Sequence, residues 1–143
     1  MLGNAEIGGH LGFADFNRHG PVHIARAVQE GIAFSFGYGM NILRDTGVDL
    51  GVIRAGRANL FLSPLFRQTL ANVADTRIEL YDTDGAVGAA RAAGLGAGVY
   101  ASPEEAFASL ERVGITEPNA AARDPTRAAY QRWADYLASV MNA

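Results

Sequence analysis

Residues 52–68 read Val52-Ile53-Arg54-Ala55-Gly56-Arg57-Ala58-Asn59-Leu60-Phe61-Leu62-Ser63-Pro64-Leu65-Phe66-Arg67-Gln68, and the architecture follows from them. An apolar, strand-like run meets a turn centred on Gly56. A helix then opens at Ser63-Pro64, because Ser is a good N-cap and Pro is preorganised for the first helical position. A strand that ends beside a helix start leaves backbone N–H groups free there, an arrangement suited to a phosphate or a nucleotide.

The elements on either side repeat this alternation. Residues 7–16 read as a short strand broken by glycines. Gly20-Pro21 opens a long helix that is apolar on most sides through Ile24, Ala27, Val28, Ile32, Phe34 and Phe36. It is expected to run to about Thr46, to stop at Gly47 and to weaken or kink at Gly37 and Gly39. Asp49 to Arg54 predicts a strand, residues 64–73 a helix, and Arg77-Ile78-Glu79-Leu80-Tyr81 alternates as a strand. Asp84 caps a helix of small residues that ends near Gly94 and is fit for close packing. Ser102-Pro103-Glu104-Glu105 is a capping box opening a helix over 103–112. The polar, alanine-rich stretch 113–123 reads as a loop. Asp124-Pro125 starts a last helix with Tyr130, Trp133, Leu137, Val140 and Met141 along one stripe. The order predicts an α/β domain with helices against a largely parallel or mixed sheet. Residues 1–100 form the core and residues 101–143 an appended helical element.

Composition excludes several function classes. The chain has 143 residues, of which 49% are hydrophobic, enough for one domain with a real core. It has no Cys, so disulfides and thiolate metal sites are excluded. All 12 basic residues are Arg, which removes a P-loop lysine and a lysine nucleophile or base. The net charge of −3 and the lack of a basic cluster argue against nucleic acid. No apolar run approaches the roughly 18 residues of a membrane span. The first six residues lack the features of a secretory leader. A cytoplasmic location is expected.

The remaining motifs weigh less. Gly94-Leu95-Gly96-Ala97-Gly98 follows a helix rather than a strand, so it reads as a helix stop, not a nucleotide fingerprint. His10, His19 and His23 are close in sequence but interrupted by Gly20-Pro21, and His23 reads as structural; no metal ligands are assigned. Asp82 and Asp84 read as turn and capping residues. No catalytic residue is assigned in this chain.

Taken together, four segments resemble the C-terminal part of the FGGY-family carbohydrate kinases, most closely xylulokinase-like members. They are Gly12-Phe13 with His23-Ile24-Ala25-Arg26-Ala27-Val28-Gln29-Glu30-Gly31-Ile32-Ala33-Phe34, the turn Ala55-Gly56-Arg57-Ala58, the helix Ser63-Pro64-Leu65-Phe66-Arg67-Gln68-Thr69-Leu70-Ala71-Asn72-Val73, and Gly85-Ala86-Val87-Gly88-Ala89-Ala90. The resemblance covers most of residues 12–100. It implies part of the C-terminal actin-like, ribonuclease-H-like ATPase domain of an enzyme that moves the γ-phosphoryl group of ATP, with Mg²⁺, to a sugar hydroxyl. It implies nucleotide contact at Ala55, Gly56, Arg57, Ala58, Asn59 and Ser63. Two of the family's three turn glycines are replaced here, by Ala55 and Arg57. The family's Gly-Asp-Gln-like segment with the catalytic Asp has no counterpart, so the chain alone is expected to be inactive. The implied partners are an N-terminal kinase domain, the sugar and a second copy in a homodimer. A free-standing, non-catalytic nucleotide-binding or assembly domain is the competing expectation.

Overall fold

The computed structural model describes residues 8–141. The readings of residues 1–6 and of Ile7 as the start of a strand lie outside them.

Helix α1 spans Pro21–Asp45 with Gly20 as N-cap. Gly20 has no side chain to cap with; the His23 ring instead accepts from the N–H of Gly20 itself through Nδ1 at 3.2 Å. Gly47, at φ +84°, ends the helix as expected, since only glycine adopts that conformation cheaply. The helix is continuous through Gly37. A Cβ there would come within 2.9 Å of Val73 Cγ1, so this glycine serves the crossing with the next helix.

Strand β1 covers Val52–Gly56, starting three residues and ending two residues later than the sequence suggests. Pairing sets its start, because Val52 is the first residue opposite the next strand, partnering Arg77. A 3₁₀ turn over Asn59–Leu62 leads to α2, Pro64–Ala74. Strand β2, Arg77–Tyr81, runs parallel to β1. Helix α3, Gly85–Gly96, follows with Asp84 as its cap.

The helix expected over 103–112 is shorter: α4 covers Pro103–Phe107. The expected loop at 113–123 is also corrected. Arg112–Thr116 forms β3, which pairs antiparallel with β2. Alternation there was masked by Gly114, which sits beneath Leu80. The last helix, α5, spans Arg123–Met141. The sheet is therefore mixed, in the order β1-β2-β3 with β2 in the centre. The strand expected at 7–16 does not form among residues 8–16. The chain turns instead at Asp15, whose carbonyl accepts from the Arg18 and His19 amides at 3.0 and 2.7 Å.

The core lies between the sheet and the α1–α2 layer. Phe66, Leu70, Ala71 and Ala74 of α2 meet Ile78 and Leu80 of β2 and Ala33 of α1. Burying each large apolar side chain contributes about 1.5–3 kcal/mol. The aromatic stripe of α5 packs on α1, with Phe34 edge-on to Tyr130 at 5.7 Å between ring centroids. Of the two partners that the small residues of α3 allow, a sheet or another helix, it takes a helix, and none of its residues is fully buried. It leans on α4, where Arg91 donates to the Ala106 carbonyl and, at 2.9 Å, to Ser109 Oγ.

The opposite face of the sheet is polar. Alternation along β2 sends Ile78 and Leu80 to the core and Glu79 to the other side, where it is buried all the same. Arg54, Arg77 and Arg112 surround its carboxylate at 3.4, 3.4 and 3.2 Å. The Tyr81 hydroxyl donates to it at 2.9 Å. That hydrogen bond, then Arg112, Arg77 and Arg54, hold the Glu79 carboxyl below the ordinary carboxylate range, against a burial effect that raises it.

Candidate functional site

The C-terminal ends of the two parallel strands lie side by side, Gly56 opposite Tyr81. In open α/β sheets this is where ligands are received. Ala55, Gly56, Arg57, Ala58 and Asn59 are brought together there. Ala55 turns its methyl to the core, so it presents only backbone. Gly56 is a steric requirement: a Cβ at this position would sit 2.5 Å from the Thr83 carbonyl oxygen and 3.3 Å from Asp84 Cα. The missing side chain therefore lets the loop after β1 and the loop after β2 touch.

The free amides anticipated from the sequence are partly used up. The Arg57 N–H donates to the Tyr81 carbonyl at 2.9 Å, and the Ala58 N–H donates to the Gly56 carbonyl at 2.8 Å. Asn59 takes the left-handed conformation, φ +50°, which Asn tolerates better than most side chains. What the turn offers outward is the Arg57 guanidinium. It is exposed, and its Nη2 lies 3.3 Å from Asp82 Oδ1 across the gap between the strand ends. Asp84, two residues on, is committed to capping: its Oδ1 accepts from the Val87 N–H at 2.9 Å.

Ser63 faces elsewhere. Its hydroxyl donates to Gln29 Oε1 of α1 at 2.6 Å and accepts from the Phe66 N–H at 3.3 Å. Its role in the structure is to start α2 and fasten it to α1.

Metal ligation finds no cluster. Among the described residues no three His, Cys, Asp or Glu side chains converge. His19 and His23 stand 5.8 Å apart between ring centroids, and each uses Nδ1 to accept a backbone N–H, from Asp15 and Gly20. The Gly94–Gly98 run closes α3, with the Val99 N–H on the Gly94 carbonyl at 2.8 Å and Gly98 at φ +75°. No described helix is long and apolar enough to cross a membrane.

Two features went unread in the sequence. One is the Arg57–Asp82 pair, which joins residues 25 apart and depends on the parallel register of β1 and β2. The other is a cleft of 1230 Å³ between the 8–13 segment, α1 and α5, lined mainly by apolar groups such as Leu11, Val28, Trp133 and Tyr136. None of the strand-end residues lines it. Its size follows from the uncovered side of α1 rather than from convergent polar groups.

Phosphate-bearing groups fit the strand-end site in two respects: a guanidinium is presented to solvent there, and α3 begins there. A carboxylate set for Mg²⁺ is not found among the described residues.

No protein-family model matches the sequence. Two curated relatives do. The L-xylulose/3-keto-L-gulonate kinase of Escherichia coli is 33% identical over 127 residues, which is 85% of this chain and 25% of the relative. The xylulose kinase of the same organism is 32% identical over 97 residues, 66% of this chain and 19% of the relative. The crystal structure of xylulose kinase from Rhodospirillum rubrum superposes with a TM-score of 0.72 at 22% identity, over 91% of this chain and 26% of that one. The chain thus spans about a quarter of the length of the relatives it matches. The fold is that of a portion of an actin-like ATPase domain. The two relatives and the structural likeness support the reading of this chain as an FGGY-like, C-terminal kinase fragment.

Proposed function

We infer that the chain is the ATP-side wall of an ATP-dependent sugar kinase acting on xylulose or a similar sugar. The observation that carries this reading is the strand-end site. Gly56 closes the two loops on each other, and Arg57 is left pointing outward where α3 begins. ATP, with Mg²⁺, supplies the phosphoryl group in such an enzyme. In this chain the backbone of 55–59 would border the nucleotide, and Arg57 would hold a phosphate oxygen by charge-assisted hydrogen bonds. Ser63 acts at one remove, by fixing α2 and the end of the turn.

General-base activation of a sugar hydroxyl needs a carboxylate within hydrogen-bond reach. Asp82 is paired with Arg57, and Asp84 caps α3, so neither is held ready for that task. We place the base, the sugar contacts and the other cleft wall in an N-terminal kinase domain that this chain does not contain. Metal binding would rest with the nucleotide and that domain.

The test is the intact mass of the native polypeptide in source cells, together with ADP formation by that polypeptide in the presence of xylulose. A mass several-fold above 15.1 kDa with sugar-dependent ADP supports the kinase reading. A mass near 15.1 kDa with no ADP overturns it and leaves a nucleotide-binding or assembly domain.

A further inference from the structure

We propose that Asp82 is an internal stand-in for a nucleotide phosphate, holding the Arg57 guanidinium until the phosphate displaces it. The proposal rests on the nucleotide reading above and adds a device that sets how tightly phosphate is taken.

The backbones of both residues are fixed. The Arg57 N–H is bound to the Tyr81 carbonyl at 2.9 Å, and the Asp82 N–H is bound to the Glu111 carbonyl at 2.9 Å. Only the two side chains are free to re-pair. Each is more than half exposed, so their 3.3 Å contact is a solvent-screened ion pair that costs little to break. The pair bridges the ends of β1 and β2, the position that phosphate would take beside the start of α3. A guanidinium grips an oxyanion best through two parallel N–H bonds, and both of its two-point edges include Nη2, the atom that Asp82 contacts. Asp82 and a phosphate held at two points therefore compete at Arg57. Asp82 also repels the incoming phosphate, which makes uptake depend on a complete exchange.

The test compares binding of ATP, inorganic tripolyphosphate and adenosine to the complete chain by titration calorimetry. The variants are Asp82→Asn, Arg57→Gln and both together. Asp82→Asn is expected to tighten ATP and tripolyphosphate by about three- to tenfold, from removal of one exposed competitor and one like charge. Adenosine should be unaffected. In the Arg57→Gln background the gain should shrink to the like-charge part alone, at most half on a logarithmic scale. Unchanged phosphate affinity in Asp82→Asn, an equal gain for adenosine, or a full gain without Arg57 overturns the exchange while leaving the nucleotide site standing. Failure of every ligand to bind any variant overturns both, and folding of each variant is checked by its circular dichroism spectrum.

Discussion

Gly56 and Thr83 touch through backbone: the place a Cβ on residue 56 would occupy is 2.5 Å from the Thr83 carbonyl oxygen. The obstacle is main chain, anchored by the Thr83 N–H on the Tyr81 carbonyl at 2.8 Å, so it does not yield as a side-chain tip would. Gly56→Ala should therefore force the two loops apart and destabilise the fold by about 1–3 kcal/mol, as overpacking does. Urea denaturation followed by circular dichroism measures this. A stability equal to that of the parent chain would mean that the loops are not in contact.

A second close approach predicts a rescue. Gly37→Ala should clash with Val73 at the α1–α2 crossing, again at a cost of about 1–3 kcal/mol. Val73→Ala in the same chain should recover part of that loss, because the two changes share one space. Purely additive losses in a double-mutant cycle would contradict the crossing.

Much of the chain could be read before its structure. Helix α1, the Ser63 and Asp84 caps, strand β2 and the glycine stop after α3 all rest on local signals: a cap, a proline, alternation, a left-handed glycine. What escaped is what depends on partners distant in sequence. Strand β3 has one side of its pattern erased by Gly114 and exists because β2 offers an edge. Residues 8–16 look strand-like but pair with no strand among the described residues. The 55–59 turn was legible as the turn between a strand and a helix, yet the amides expected to be free at Arg57 and Ala58 are spent on Tyr81 and Gly56. Its outward chemistry passes to Arg57, opposite an aspartate that sequence reading assigned to turn chemistry.

The buried Glu79 predicts a pH dependence. Its folded-state pKa lies below its ordinary value near 4.5, first through Tyr81 and then through its three arginines. A carboxyl depressed in this way contributes stability that is fully present above the unfolded-state value and is lost as pH falls through the folded-state value. Glu79→Gln should therefore be less stable than the parent chain at pH 7, and the gap should narrow below pH 4.5. Chemical denaturation at a series of pH values checks this. A gap independent of pH would show that the arginines are not acting on an ionised carboxylate.

Ser63 predicts a change in stability rather than in binding. Ser63→Ala removes the cap on Phe66 and the bond to Gln29, and should destabilise by about 0.5–2 kcal/mol. Nucleotide affinity, corrected for the folded fraction, should stay within about twofold, since the hydroxyl is turned to α1. A large loss of affinity at unchanged stability would place Ser63 in the binding site.

The most direct measurement is a Mg-ATP titration of the isotopically labelled chain, followed amide by amide by NMR. The account predicts shifts centred on Gly56, Arg57, Ala58 and Asn59 and extending to Asp82 and the first turn of α3, with the apolar cleft at Leu11, Trp133 and Tyr136 unmoved. Shifts centred on that cleft, or none at saturating nucleotide, would contradict it.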